Sequence, residues 1–246
     1  MEWRDEGVIL AARRHGETSV ILDVLTKTHG RHAGVVRGGV SRKQAPVLQP
    51  GNQVEVEWRA RLEDHLGAYR VELLKSRSGI MSDRGRLAAL SSICALMTFA
   101  MPERMELSEI YDQTLALIER LSSDEPWAAD YAVWELMMLE ELGYGLDLTS
   151  CAATGGTQEL IYVSPKSGRA VCRAAGAEYA DRMLPLPEFL QMQGVDAAPQ
   201  EVLGALKTTG YFLERWLAPA LGNRPLPDAR SRLVRALEKD VRRAQT

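Results

Sequence analysis

The chain has 246 residues, of which 46% are hydrophobic and 26% are charged, the composition of an ordinary globular protein. This composition argues against disorder over most of the length, and three cysteines are too few for a disulfide-stabilised scaffold. No uninterrupted apolar run reaches about 18 residues, so we predict no membrane span. The first residues lack a basic stretch followed by an apolar run. We therefore expect no signal peptide and a cytoplasmic protein.

The net charge of −3 hides an uneven distribution along the chain. Residues 1–80 carry 13 Lys/Arg against 10 Asp/Glu, and residues 224–246 carry 7 against 3. The middle, residues 81–223, carries 10 against 20 and has a net charge of −10. A chain with basic ends and an acidic middle can offer one surface to phosphates and another to a different partner.

Residues 1–80 are predicted to form β-structure. The fourth apolar run alternates strictly, with Val54, Val56 and Trp58 on one face. Five short strands in so few residues favour a small closed barrel, because an open sheet would expose unpaired edges. We predict an OB-type five-stranded barrel, with a small SH3-like barrel as the alternative. The five predicted strands are Gly7–Arg13, Ser19–Thr26, Gly30–Arg37, Gln53–Arg59 and Gly67–Leu74.

Residues 81–246 are predicted to form a second, mainly α-helical domain, so the fold class is α+β with two domains. Apolar residues recur there at steps of three and four, and Asp83 is a candidate N-cap for the first helix. A hairpin insertion at about residues 148–180 interrupts the helices, with predicted strands at Leu160–Val163 and Arg169–Val171. The apolar stripes of the five predicted helices begin at Leu87, Leu107, Trp127, Leu203 and Leu233.

The most informative segment is 24–54, which contains no Asp or Glu. A cluster of cations on one strand and its loop can follow a phosphate backbone, so this window predicts a DNA-binding surface. The alternative is a solvated basic edge that keeps the barrel from aggregating. The candidate DNA-binding residues are Lys27, Arg31, Arg37, Arg42 and Lys43.

Aromatic residues that could stack on bases are few in the barrel region, namely Trp3, Trp58 and Tyr69. Trp58 and Tyr69 lie on predicted strands, where a core position is the more common role. Binding through backbone charge therefore fits better than binding through base stacking. We find no nucleophile elbow, phosphate-binding glycine loop or zinc-protease motif, and predict a protein that is not an enzyme.

Two cysteines flank the predicted hairpin, Cys151 before it and Cys172 after it. A zinc ribbon has cysteine at four corners, but here Thr154 and Ala175 occupy two of them. No histidine lies in this domain to complete the set. We predict a zinc-ribbon-like hairpin that lacks the full cysteine set and binds no metal or other cofactor.

Several motifs, in order and spacing, resemble the RecO family of bacterial DNA recombination and repair proteins over nearly the whole chain. They include His29-Gly-Arg31 leading to Val36-Arg-Gly-Gly39, Leu48-Gln-Pro-Gly51, the helix from Trp134 to Tyr144, the hairpin segment Tyr162-Val-Ser-Pro-Lys166, and Leu221-Gly-Asn-Arg-Pro-Leu226.

The resemblance implies an N-terminal OB fold and a helical C-terminal domain with an inserted zinc-ribbon-like element. It also implies binding of single- and double-stranded DNA in the nucleoid, annealing of complementary strands, and loading of the RecA recombinase. The implied protein partners are RecR and the acidic C-terminal tail of single-stranded-DNA-binding protein. Competing interpretations are an RNA-binding OB module and an adaptor that binds only proteins.

The acidic tail would need local cations, because residues 81–223 are net acidic. Arg104 and Arg120, near the ends of the predicted second helix, are our candidates for that protein-partner site. The alternative is that both are ordinary surface arginines.

Overall fold

The computed structural model describes residues 1–192 and 195–245 and divides the chain into two compact units. Unit 1 comprises Met1–Glu125 with Pro227–Leu233, and unit 2 comprises Pro126–Leu226 with Val234–Thr246. The strands are β1 Glu2–His15, β2 Ser19–Thr26, β3 Gly30–Val36, β4 Gln53–Arg59, β5 Ala68–Lys75, β6 Leu160–Val163, β7 Ala170–Cys172 and β8 Leu184–Pro185. The helices are α1 Arg84–Ala100, α2 Ser108–Leu121, α3 Ala128–Glu141, α4 Arg173–Gly176, α5 Pro199–Phe212, α6 Ala218–Ala220 and α7 Asp228–Ala244.

The first five strands form a closed barrel in the order β1-β2-β3-β5-β4, which confirms the predicted OB-type architecture. Strand β1 is long enough to pair with β4 through its first half and with β2 through its second half. Closure between β3 and β5 rests on a single parallel pair, Val35 with Ala68, and on a hydrogen bond from Val35 N to Gly67 O at 3.1 Å. The SH3-like alternative is therefore set aside.

Strand β1 begins at Glu2, five residues before the predicted start. The segment Glu2–Glu6 carries mostly charged residues and offers no apolar run. It becomes a strand because β4 supplies a partner, with Trp3 opposite Trp58 and Arg4 opposite Glu57. Cross-strand pairing of this kind stabilises a strand that hydrophobic periodicity alone does not predict.

The barrel interior is filled by the alternating apolar residues of its strands. Leu48, from the connection between β3 and β4, also joins this core, although it lies outside every strand. Gly39 makes room for it, because a Cβ there would lie 2.9 Å from Val20 and 3.1 Å from Leu48. The connection is thereby held against the barrel, so the loop between β3 and β4 has a fixed position.

Helices α1 and α2 belong to unit 1 together with the barrel. Asp83 caps α1 by accepting a hydrogen bond from Arg86 N at 2.8 Å, as its sequence position predicts. The Cys94 thiol of α1 donates to Ile9 O of β1 at 3.8 Å, and burial raises the pKa of this thiol to about 12. Unit 1 therefore includes α1 and α2 and extends to Glu125.

Unit 2 contains α3, α5 and a small sheet in which the predicted hairpin, β6 and β7, is joined by β8. The two helices share a buried polar contact, since Glu135 of α3 accepts hydrogen bonds from Tyr131 Oη at 2.9 Å and from Thr209 Oγ1 of α5. Within residues 1–192 and 195–245, no helix has the length and apolar character needed to cross a membrane.

Candidate nucleic-acid interface

The end of the β1–β2 hairpin lies beside the loop that follows β3. Arg14 pairs with Val20 across the hairpin, and Val20 pairs in turn with Val36 at the end of β3. Val40 N then donates to Thr18 O at 3.3 Å, which attaches the loop to the hairpin turn. The end of the hairpin and the loop after β3 are therefore neighbours at one end of the barrel, although they are far apart in the sequence.

The loop between β3 and β4 is ordered by its own hydrogen bonds. Ser41 O accepts from Ala45 N at 2.9 Å, and Gln44 O accepts from Leu48 N at 3.1 Å, which makes a helical turn. The buried Asn52 side chain fixes the far end by donating to two backbone carbonyls at 3.0 Å each. Because Leu48 is directed into the core, the first residues of the turn are left exposed to solvent.

Three of the predicted DNA-binding residues lie on this exposed part, namely Arg37, Arg42 and Lys43. None of the three forms an ion pair within the described residues 1–192 and 195–245. Lys27 is also exposed, and its Nζ lies 3.8 Å from Asp112 Oδ1 of α2. An exposed cation without an acidic partner keeps its attraction for phosphate, so the three residues are the strongest part of the candidate site.

Arg31, the remaining predicted residue, has a different environment. Its side chain is only 13% exposed and donates to Asp23 at 2.7 Å, to Met101 O at 3.0 Å and to Glu103 at 3.2 Å. Burial raises the pKa of Asp23 although Arg31 opposes this shift, so the pair is a desolvated structural contact. We therefore leave Arg31 out of the candidate interface, because its guanidinium connects β2 and β3 to the segment after α1.

Two arginines outside the acid-free window 24–54 extend the candidate interface. Arg13 and Arg14 lie at the exposed end of β1, and neither forms an ion pair within the part of the chain that the structure describes. They were missed because the acid-free window begins only at residue 24, beyond Glu17 in the turn. The available signal was two adjacent arginines next to a hairpin turn. We define the cationic patch as Arg13, Arg14, Arg37, Arg42 and Lys43.

The strands on the other part of the barrel carry arginines that are neutralised. Arg4 contacts Glu55, Arg59 contacts Glu2 at 2.8 Å, and Arg70 contacts Glu72 at 3.4 Å. These pairs are exposed, so each contributes little to stability. They nevertheless cancel the local charge, and this surface attracts phosphate less than the cationic patch does.

The barrel aromatics are mostly enclosed. Trp58 and Tyr69 are buried, which confirms their predicted core positions. Trp3 is half-buried and stacks on His29, with ring centroids 4.0 Å apart, and on Trp58, with ring centroids 5.6 Å apart. Burial lowers the pKa of the neighbouring His32 to about 4, which keeps that ring neutral near pH 7. Base stacking therefore has few partners on the barrel.

The two candidate partner-site arginines are both engaged within unit 1. The Arg104 guanidinium donates to the backbone carbonyls of Glu63 and His65, in the loop before β5. Arg120 lies 2.9 Å from Glu125 in an ion pair. Neither contact tests the predicted binding of an acidic peptide. They show that both side chains already have intramolecular roles.

The corners of the zinc-ribbon-like element hold two thiols, one hydroxyl and one methyl group. Cys172 N donates to Cys151 Sγ at 3.2 Å, and Thr154 Oγ1 lies 4.0 Å from Cys172 Sγ. Hydrogen bonds from the Thr154 hydroxyl and the Cys172 amide lower the pKa of Cys151 to about 6. Ala175 has no donor, so this set does not fit four-coordinate zinc. The described residues contain no group of three or more His, Cys, Asp or Glu able to hold a metal ion.

Comparison with known proteins gives a consistent result over both parts of the chain. A family model described as Recombination protein O N terminal matches residues 1–77, and one described as Recombination protein O C terminal matches residues 81–225. The DNA repair protein RecO of Ruegeria sp. (strain TM1040) is 55% identical over 242 residues, which cover 98% of this chain and 100% of the relative. That of Jannaschia sp. (strain CCS1) is 52% identical over 242 residues, covering 98% of each chain.

Proposed function

The chain belongs to the RecO family of DNA repair proteins, and on that premise we propose that it is a non-enzymatic mediator that binds DNA through the cationic patch and anneals complementary strands. The observation that carries this proposal is the placement of Arg37, Arg42 and Lys43 on an exposed, ordered loop without acidic partners in the described residues. Arg13 and Arg14 on the adjoining hairpin enlarge the surface available to a backbone.

Annealing follows from how such a surface would hold a strand. Cations neutralise the phosphates and lower the repulsion between two strands that approach each other. Since Trp58 and Tyr69 are buried, the barrel offers few ring faces on which bases could stack. A strand held by its backbone keeps its bases exposed, and those bases remain free to pair with a complementary strand.

Family membership also guides the proposal for partners. We propose that the protein acts on single- and double-stranded DNA in the cytoplasm at the nucleoid, together with RecR and the acidic tail of single-stranded-DNA-binding protein. Through these partners it would help load recombinase on coated single strands. We leave the tail's binding surface unassigned, because Arg104 and Arg120 are engaged in unit 1.

Titration of the full chain with fluorescent single-stranded DNA at several salt concentrations tests the proposal. If all five patch cations contact phosphates, the log–log slope of affinity against salt should approach about −3.5, at about −0.7 per contact. The protein should also accelerate the pairing of two complementary strands that are each saturated with it. A chain that binds single strands no better than it binds a neutral polymer, or that prefers RNA, would contradict the proposal.

We further propose that the protein holds no zinc. Elemental analysis after dialysis should find well below one zinc per chain, because only Cys151 and Cys172 supply sulfur ligands at the four corners. Replacing Cys151 by serine should leave the zinc content unchanged. One zinc per chain, lost in that variant, would show that other ligands complete the site.

A further inference from the structure

Helix α7 has two chemically distinct faces. Val234, Leu237 and Val241 are half-buried on one of them. The other is solvent-exposed and carries the four cations Arg235, Lys239, Arg242 and Arg243, which we name the α7 stripe. The barrel's cationic patch does not include this helix, and nothing in the proposed role of the patch explains the stripe.

The helix geometry places the stripe on one side. With 3.6 residues per turn, its four residues fall within a sector about 100° wide, and a rise of 1.5 Å per residue spreads them over about 12 Å. Successive cations are thus separated along the axis by at most about 6 Å, a spacing suited to consecutive phosphates of an extended strand. Such a row can make several phosphate contacts with one backbone.

Acidic neighbours neutralise only part of the stripe. Glu238 lies 3.4 Å from Arg242, and Asp240 lies 4.0 Å from Arg243. Arg235 and Lys239 form no ion pair with any residue in 1–192 or 195–245. The stripe therefore keeps a net positive charge, in a chain whose residues 81–223 have a net charge of −10.

Two ordinary explanations do not account for this arrangement. Cations at a helix C-terminus favour the macrodipole, but that effect is confined to about the last turn, and Arg235 and Lys239 lie before it. A helix that lies on a membrane surface needs an exposed apolar face, commonly with Trp or Phe. The apolar face of α7 is half-buried and contains neither residue.

We propose that the α7 stripe binds the phosphate backbone of a second single strand of DNA. This inference rests on the proposed function, because it assigns the first strand to the cationic patch. A protein with two separate backbone-binding surfaces can hold two strands at once, so their encounter occurs at a raised effective concentration. The stripe would then contribute to annealing more than to the affinity for a single strand.

The test uses the full chain with Arg235→Gln, Lys239→Gln and Arg242→Gln combined, since glutamine keeps helix propensity while it removes the charge. Affinity for one strand should stay within about threefold of wild type, whereas the annealing rate should fall about tenfold. The control is Arg169→Gln with Arg173→Gln, two arginines of unit 2 that are already ion-paired with Asp147 and Glu159. The control should anneal like wild type.

The possible outcomes separate this inference from the proposed function. If wild type binds and anneals DNA and the stripe variant anneals equally well, the exposed face of α7 is only solvated. This outcome would overturn the inference but not the proposed function. Wild type that binds no DNA would overturn both. If wild type sediments with phosphatidylglycerol vesicles and the stripe variant does not, while both anneal DNA equally well, the stripe binds a membrane surface and not a DNA strand. This outcome would also overturn the inference.

Discussion

Replacing Arg37, Arg42 and Lys43 together by glutamine is expected to weaken single-strand binding by at least about tenfold at low salt and to reduce the log–log salt slope by about 2. The slope is the more specific measurement, because each lost phosphate contact removes about 0.7 from it on single strands. The weakening should be similar for all base sequences, since backbone contacts carry no sequence information. Fluorescence titrations at three or more salt concentrations provide both quantities.

The same number of cations can be removed from the neutralised part of the barrel as a control. Arg4, Arg59 and Arg70 are each exposed and paired with a glutamate, so their triple replacement should change the slope by less than about 1. If both triple variants lose affinity equally, binding follows the total charge and the cationic patch has no special role. If neither loses affinity, the patch is a solvated edge.

Much of the fold was predictable because it is encoded locally. The strict alternation in Gln53–Arg59 predicted β4 residue for residue, and Ser19–Thr26 was likewise predicted with its observed bounds. Asp83 marked the start of α1 because an N-cap needs only its own side chain and the next turn. The strand Leu160–Val163 was predicted with its observed bounds for the same reason, because turn residues follow it directly in the sequence.

The remainder depends on partners that are distant in the sequence. Arg31 resembled its cationic neighbours within the window, but its contact with Glu103 joins residues 72 positions apart. Arg13 and Arg14 lie beside the candidate site only through the pairing of β2 with β3 and the hydrogen bond from Val40 N to Thr18 O. Local charge therefore suggested a type of site, and that suggestion stays a hypothesis. It could not tell which cations are buried and which are available.

Glu119→Ala is expected to destabilise unit 1 by about 3 kcal/mol, because it leaves the buried Arg77 guanidinium without its carboxylate. The Arg77 side chain is 1% exposed, and its Nη1 donates to Glu119 at 2.8 Å. The buried Nε of Arg77 has no hydrogen-bond partner among the described residues, so Glu119 supplies most of the compensation. Hydrogen exchange of peptides from α2 and β5 would measure the loss within this unit.

The same contact gives stability a defined pH dependence. Hydrogen bonds from Arg77 and Lys75 lower the pKa of Glu119 to about 2, against an ordinary value of 4.5. A carboxyl group whose pKa is depressed in the folded state contributes stability above its unfolded pKa and loses that contribution as pH falls. The loss should therefore occur between pH 4.5 and about 2. Since Glu119 is 40% exposed, solvent screening limits this pH-dependent contribution to the free energy of unfolding to roughly 1 kcal/mol.

Two further variants distinguish the buried pair from general charge effects. Lys75→Ala removes the exposed partner of the same carboxylate and should cost less than about 1 kcal/mol. Arg77→Met combined with Glu119→Leu removes both charges and should recover most of the stability lost in Glu119→Ala, since no unpaired guanidinium remains buried. If the double variant is as unstable as the single one, the cost arises from lost packing of α2. If Glu119→Ala matches wild type between pH 2 and 7, water already satisfies Arg77 and the ion pair contributes nothing.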